Sequence, residues 1–206
     1  MIAIIDYGMG NVGSIYNMLK HLGEEAIITD DPCVILSSDK IILPGVGSFD
    51  QGIINLKKKG LYEIILEFAR EFRKPILGIC LGMQLLGNRS EEGELLGLGL
   101  IDFDNIRFKP KKEENLKVPH MGWDIVETTQ MNDPLLDGIV LNPRYYFVHS
   151  FYAKCNKESS TLLTCDYGIK FAAAVKENNI YGVQFHPEKS HHFGMEILKN
   201  FAQKVI

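Results

Sequence analysis

Pro75-Ile76-Leu77-Gly78-Ile79-Cys80-Leu81-Gly82-Met83-Gln84 is the stretch on which the reading of the whole chain turns. An apolar run that suits a buried strand ends on a cysteine, and a glycine and a helical pattern follow at once. In that order the residues describe a nucleophile elbow, a sharp strand-to-helix turn flanked by glycines because side chains there would collide. Such a turn lifts the thiol to the carboxyl end of a parallel sheet, where open α/β sheets bind their ligands. The helix beyond it directs its positive end at the sulfur, which favours the thiolate. A buried core cysteine is the plain alternative, because cysteine is among the most buried residue types.

Toward the N-terminus the pattern supports a parallel sheet. Residues 2–5, 26–29 and 40–43 are short apolar runs that suit strands. Residues 12–22 read as a helix stopped by Gly23, and residues 61–72 as a helix with Leu61, Ile64, Ile65 and Phe68 on one face. Strands alternating with helices predict right-handed crossovers and a mostly parallel sheet covered on both sides. From about Ile101 the pattern changes. Residues 101–108, 123–126, 145–153, 162–165, 171–175 and 180–185 are strand-like, with Asn178-Asn179 as a tight turn between the last two. Residues 192–205 close as a helix with Phe193, Ile197, Leu198 and Phe201 inward. The expectation is one three-layer α/β domain, residues 1–206, with a central mostly parallel sheet and antiparallel additions in the second half.

Composition narrows the function. The chain has 206 residues, 46% hydrophobic and 23% charged, with a net charge of −4, which disfavours nucleic acid as the main partner. The lysine runs at residues 57–59 and 109–117 read as solvated faces. The start lacks a basic leader, and no apolar stretch approaches the roughly 18 residues of a membrane span. Cys33, Cys80, Cys155 and Cys165 are widely spaced and suit neither a disulfide framework nor a zinc ribbon, so a reducing cytoplasm is expected.

A nucleophilic cysteine needs a base, and the base an orienting group. Gln184-Phe185-His186-Pro187-Glu188-Lys189-Ser190 offers both: His186 just past a strand, with Glu188 two residues on, across a stiff proline. Pro44-Gly45-Val46-Gly47-Ser48-Phe49 follows another strand. Its glycines let backbone N–H groups turn toward the oxyanion that forms when a thiolate attacks an amide. They also allow a peptide unit to rotate at little steric cost. A plain turn explains either segment taken alone.

Three other readings compete, the blandest of them a non-catalytic scaffold. Gly8-Met9-Gly10-Asn11-Val12-Gly13 is a literal G-x-G-x-x-G between strand and helix, with Asp30 and Asp31 beyond the next strand, as in an NAD-dependent oxidoreductase. That reading leaves the elbow and H-P-E unexplained. A metal held by His186, His191 and His192 fits poorly, because neighbours on a helix point about 100° apart.

The sequence resembles the class I, triad-type glutamine amidotransferases, and within them the glutaminase subunits of imidazole glycerol phosphate synthases. The likeness runs through Asp6-Tyr7-Gly8-Met9-Gly10-Asn11, Pro44 to Gly47, Gly78 to Gln84, Val118-Pro119-His120-Met121-Gly122-Trp123, Tyr146-Phe147-Val148-His149-Ser150 and Gln184 to Ser190. It implies a flavodoxin-like fold in which Cys80 is the nucleophile, His186 the base and Glu188 its orienter. The N–H groups of Val46 or Gly47 and of Leu81 would form the oxyanion hole. Gln84, Glu92 and the backbone of His149, Ser150 and Phe151 would hold L-glutamine. Asn11, Trp123, Tyr146 and Lys189 would lie where ammonia leaves toward a (β/α)8-barrel cyclase in a heterodimer. The pair would form imidazole glycerol phosphate and AICAR in histidine biosynthesis, without cofactor or metal. Asp124 stands where this family usually has Asn, and Phe151 where it commonly has Tyr. A paralogous subunit feeding another synthase, such as one that amidates surface sugars, carries the same motifs.

Overall fold

In the computed structural model, β1 (Ile2–Ile5), β3 (Lys40–Gly45) and β4 (Ile76–Cys80) are buried along almost their whole length, because helices cover both faces of the sheet they form. The structure describes residues 1–111, 113, 116–130 and 132–206; positions 112, 114 and 115 of the second lysine run lie outside the described residues, as does Met131. Alternate strand residues go to opposite sides. Ile2, Ile4, Ile42 and Leu77 pack against Ile15 and Leu19 of α1 (Val12–His21) and against Ile197, Leu198 and Phe201 of the last helix. Ala3, Ile5, Ile41, Leu43 and Ile76 pack instead against α3 (Phe49–Lys58) and α4 (Leu61–Arg70) through Ile53, Leu56, Ile65 and Phe68. Three layers follow from that period of two.

The remaining elements are β2 (Ala26–Thr29), α2 (Pro32–Ser37), α5 (Leu81–Leu86), β5 (Arg89–Ser90), β6 (Phe103–Arg107), β7 (His120–Thr128), β8 (Arg144–His149), β9 (Phe151–Cys155), β10 (Thr161–Asp166), β11 (Lys170–Glu177), β12 (Ile180–Val183) and α6 (His191–Gln203). The sheet runs β2-β1-β3-β4-β12-β11-β10-β7-β8, with β5, β6 and β9 branching from β11. Its first five strands pair parallel; from β12 onward the pairing in this run is antiparallel.

Several elements differ from the expectation. Residues 145–153 are two strands: the chain breaks at Ser150, so that β8 pairs with β7 while β9 pairs with β6 and β11. α2 and α3 were not anticipated. α2 starts on Pro32 after Asp31, whose side chain accepts from the Cys33 N–H at 2.8 Å. That cap, and the ion pair of Asp30 with Lys59 at 2.9 Å, engage the two carboxylates that the dinucleotide reading needed for a ribose. Gly10 serves close packing: a Cβ there would press on the Pro44–Gly45 backbone at 3.1 Å.

Candidate active site

Register brings the site together before any side chain is considered. Cys80 ends β4 with Gly45 of β3 beside it on one flank, and Val183 of β12 pairs with Ile79 on the other. The loops leaving β3, β4 and β12 therefore emerge side by side at the carboxyl end of the sheet. Cys80 itself sits at φ +53°, ψ −111°, a strained backbone for any residue but glycine. The neighbouring glycines make that turn possible. A Cβ on Gly82 would overlap the Leu43 carbonyl, and one on Gly78 would lie 2.7 Å from the backbone of Met83.

Beyond β12 the chain is anchored by Phe185, fully buried and stacked on Tyr145 with ring centroids 3.8 Å apart. His186 follows, its Nδ1 at 2.8 Å from Oε1 of Glu188, both side chains 2% exposed. Its Nε2 is buried and has no conventional hydrogen-bond partner, leaving it free for the thiol and a substrate. Burial works to lower the basicity of this imidazole. Interaction with the Cys80 sulfur and with Glu188 outweighs it and raises the pKa to about 9. The arrangement sets a cationic imidazole, a proton donor, beside a thiol placed to act as nucleophile.

Cys80 and His186 share a cavity of about 310 Å³ with Val46, Gly47, Leu81, Gln84, Glu92, Pro119 and residues 148–151. Every candidate for the oxyanion hole and for holding substrate thus lines one space. Gly47 has φ +117°, in the region open to glycine. Glu92 is held over the cavity by accepting the Phe49 N–H at 2.8 Å, which serves the amino end of α3 where Ser48 makes no side-chain cap. The Ser150 carbonyl is taken by the Phe108 N–H, and the Phe151 carbonyl by His149 and Gln84.

On the adjoining surface Trp123, Tyr146 and Lys189 come together. Trp123 stacks on His191 at 5.3 Å and meets Tyr146 edge-on at 6.2 Å, and the Lys189 ammonium lies 5.6 Å from the Tyr146 ring. Asn11 caps α1, its side chain accepting from the Ser14 N–H at 3.4 Å. α1 packs beside the 187–189 turn. Among the described residues no group of three or more His, Cys, Asp or Glu is placed to hold a metal ion.

The family model for class-I glutamine amidotransferases matches residues 3–205. The chain belongs to that family. This amidotransferase is 52% identical to a protein of Methanococcus maripaludis, and 50% identical to one of Pseudomonas aeruginosa, both named imidazole glycerol phosphate synthase subunit HisH 2. These matches cover 99% and 100% of the chain and all of each relative. A HisH subunit of Sulfurimonas denitrificans is 48% identical over 98% of both chains. Among solved structures, the structure of PurLQS from Thermotoga maritima superposes with a TM-score of 0.75 at 19% identity, over 97% of this chain and 96% of that one. The glutaminase domain of Trypanosoma brucei CTPS, with bound acivicin, gives 0.62 at 15% identity, covering 98% and 94%. At such identities the amidotransferase shares a fold with these two and no more is implied.

Sequence reasoning passed over three residues that the fold brings to the site. Tyr7 is buried, with its hydroxyl under Gly45 and unpaired, and burial chiefly, then the neighbouring Cys80, resists its ionisation. His120 faces His149 across the β7–β8 pair, Nδ1 to Nε2 at 3.0 Å. Gln184 approaches the sulfur. All three lie inside quoted motifs, but only the fold shows what they face.

Proposed function

We propose that this chain is the glutaminase subunit of an imidazole glycerol phosphate synthase, acting in histidine biosynthesis as one amidotransferase domain spanning residues 1–206. The observation that carries the chemistry is the His186–Glu188 contact beside a strained, cavity-lining Cys80. The synthase assignment is supported by the full-length relatives named HisH.

The Cys80 thiolate attacks the carboxamide carbon of L-glutamine, and the oxyanion is met by the N–H groups of Leu81 and of Val46 or Gly47. His186 gives a proton to the departing ammonia, leaving a thioester. His186 then takes a proton from water, which attacks the thioester and releases glutamate. Glu188 holds the imidazole by Nδ1 and balances its charge. Gln84, Glu92 and the backbone at residues 149–151 hold the substrate's remaining polar groups. Ammonia passes by the face of Asn11, Trp123, Tyr146 and Lys189 to a (β/α)8-barrel cyclase bound as the second subunit, in the cytoplasm. No described helix is long and apolar enough to cross a membrane.

A second reading is kept because the two relatives at 52% and 50% identity bear the numbered name HisH 2. Such a numbered copy could feed ammonia to another synthase, such as one that amidates surface sugars. Both readings share the glutaminase step.

The test is Cys80→Ala in the assembled complex. Glutamine-dependent synthesis should vanish while synthesis from added ammonia continues; loss of both in a correctly assembled complex contradicts the division of labour. The isolated wild-type chain should hydrolyse glutamine slowly and gain about 10²–10³-fold when partner and acceptor are added. That is the worth of one oxyanion donor brought in by rotation of the Val46–Gly47 peptide. Full hydrolysis by the lone chain rules the rotation out.

A further inference from the structure

Beneath the cavity floor a chain of polar groups ends on the reactive sulfur. The Gln84 amide nitrogen lies 3.2 Å from the Phe151 carbonyl oxygen and 3.1 Å from Oε1 of Gln184, and Gln184 Nε2 lies 3.8 Å from the Cys80 sulfur. Gln184 is fully buried and Gln84 is 5% exposed. Which end of each amide is nitrogen follows from donor and acceptor chemistry. A carbonyl only accepts, so Gln84 must turn its NH2 toward Phe151. That NH2 gives its second proton to Gln184, which must present oxygen there. Gln184 is then obliged to turn its own NH2 to the sulfur.

The Phe151 carbonyl is held in turn by Nδ1 of His149 at 2.8 Å, and the Gln184 backbone by its N–H on the Ala173 carbonyl at 2.9 Å. Asn105 donates to the backbone carbonyl of Gln84 at 3.0 Å. Each of these partners holds the chain in place, and none could supply the donor that Gln184 presents. Both protons of Gln84 are spent inside the protein, so only its oxygen remains for the cavity it lines.

We propose that Gln184 is a catalytic residue whose side-chain N–H donates to the thiolate form of Cys80, with Gln84 the positioning residue that fixes which way the Gln184 amide faces. The assignment rests on Cys80 being the glutaminase nucleophile. A hydrogen bond to a charged sulfur is stronger than one to a neutral thiol, so the donor favours the ionised form. Other groups face the sulfur: His186 from the turn after β12, Tyr7 from the loop after β1, and across the cavity Glu92 and His149.

The experiment is the pH dependence of iodoacetamide alkylation of the full chain, followed on the Cys80 peptide by mass spectrometry so that the other cysteines do not contribute. In Gln184→Met, of similar size but without a donor, the alkylation midpoint should rise by about one pH unit or more. Gln84→Met should move it in the same direction by releasing the Gln184 amide, and serves alone if Gln184→Met fails to melt cooperatively. An unchanged midpoint in a folded variant overturns the role of Gln184. Glutaminase activity surviving in Cys80→Ala would instead overturn the nucleophile assignment, whatever the alkylation shows.

Discussion

The carbonyl of Tyr146 accepts the backbone N–H of His186 at 2.9 Å. Ser190 closes the latch: its hydroxyl accepts from the Tyr146 N–H at 3.0 Å and donates to the His186 carbonyl at 2.7 Å. The histidine backbone is thereby tied to β8, whose Tyr146 ring stands on the surface beside Trp123 and Lys189. These bonds join the surface at Tyr146 directly to the backbone that carries His186.

Ser190→Ala removes both bonds of the hydroxyl and leaves the Tyr146 N–H without its acceptor, while the His186 carbonyl keeps the Lys189 N–H at 3.0 Å. Stability should fall by about 1–3 kcal/mol. In steady-state kinetics on the complex, kcat for glutamine should drop while KM is nearly unchanged, because the change acts on the base and not on the cavity wall. A rise in KM at constant kcat would contradict the latch.

Glu188→Gln keeps the shape of the contact to His186 but removes its charge. Turnover should fall by up to about 10⁴-fold, while a glutamine-analogue affinity label should still attach to Cys80, more slowly. Wild-type turnover would make Glu188 a bystander.

His149 carries a pH dependence of stability. Burial chiefly, and then the charges of His120 and His186, lower its pKa from 6.5 to about 3, against a raising influence from the Phe151 carbonyl. The unfolded chain therefore binds a proton that the folded chain refuses. The contribution is present in full above about pH 6.5 and is lost as pH falls toward 3, at no more than about 1.4 kcal/mol per unit. Urea unfolding at pH 7 and pH 5 should show this slope, and His149→Gln should flatten it. Equal slopes in the two proteins would refute the assignment.

Glycines separate the elbow from the dinucleotide look-alike. Gly82→Ala sets a methyl group onto the Leu43 carbonyl oxygen and should destabilise by about 3 kcal/mol or more. Gly13, third in the G-x-G-x-x-G, lies inside α1 with nothing within 4 Å of an added Cβ. Gly13→Ala should stabilise by up to about 1 kcal/mol. Thermal melts of the two variants decide, and a strong loss in Gly13→Ala would restore a close-packing role for that glycine.

Residues 2–5 and 76–80 were legible as strands to the residue, because buried parallel strands are uninterrupted apolar runs, and residues 26–29 were legible from their apolar run although β2 is a half-exposed edge strand. The elbow was legible for the same reason. α3 was not: its inward residues Phe49, Ile53 and Leu56 are diluted by Asp50, Gln51, Gly52 and the following lysines, and Gly52 is there to let Leu85 pack close. The break at Ser150 depends on two different partner strands, which no local pattern announces. Likewise the direction in which Gln184 faces is set by Gln84, 100 residues earlier in the chain.

β12 is the last strand in sequence, yet it lies in the interior of the sheet, between β4 and β11. During synthesis the thiol therefore exists long before its machinery does. Until β12 inserts, β4 has an open edge, and the histidine and carboxylate that follow it are still to be made or free in solution. A chain truncated before β12 keeps its cysteine but has neither His186 nor Glu188 beside it, and it exposes two strand edges to aggregation. On the proposed roles of Cys80 and His186, glutaminase activity thus reports that β12 has taken its place between β4 and β11.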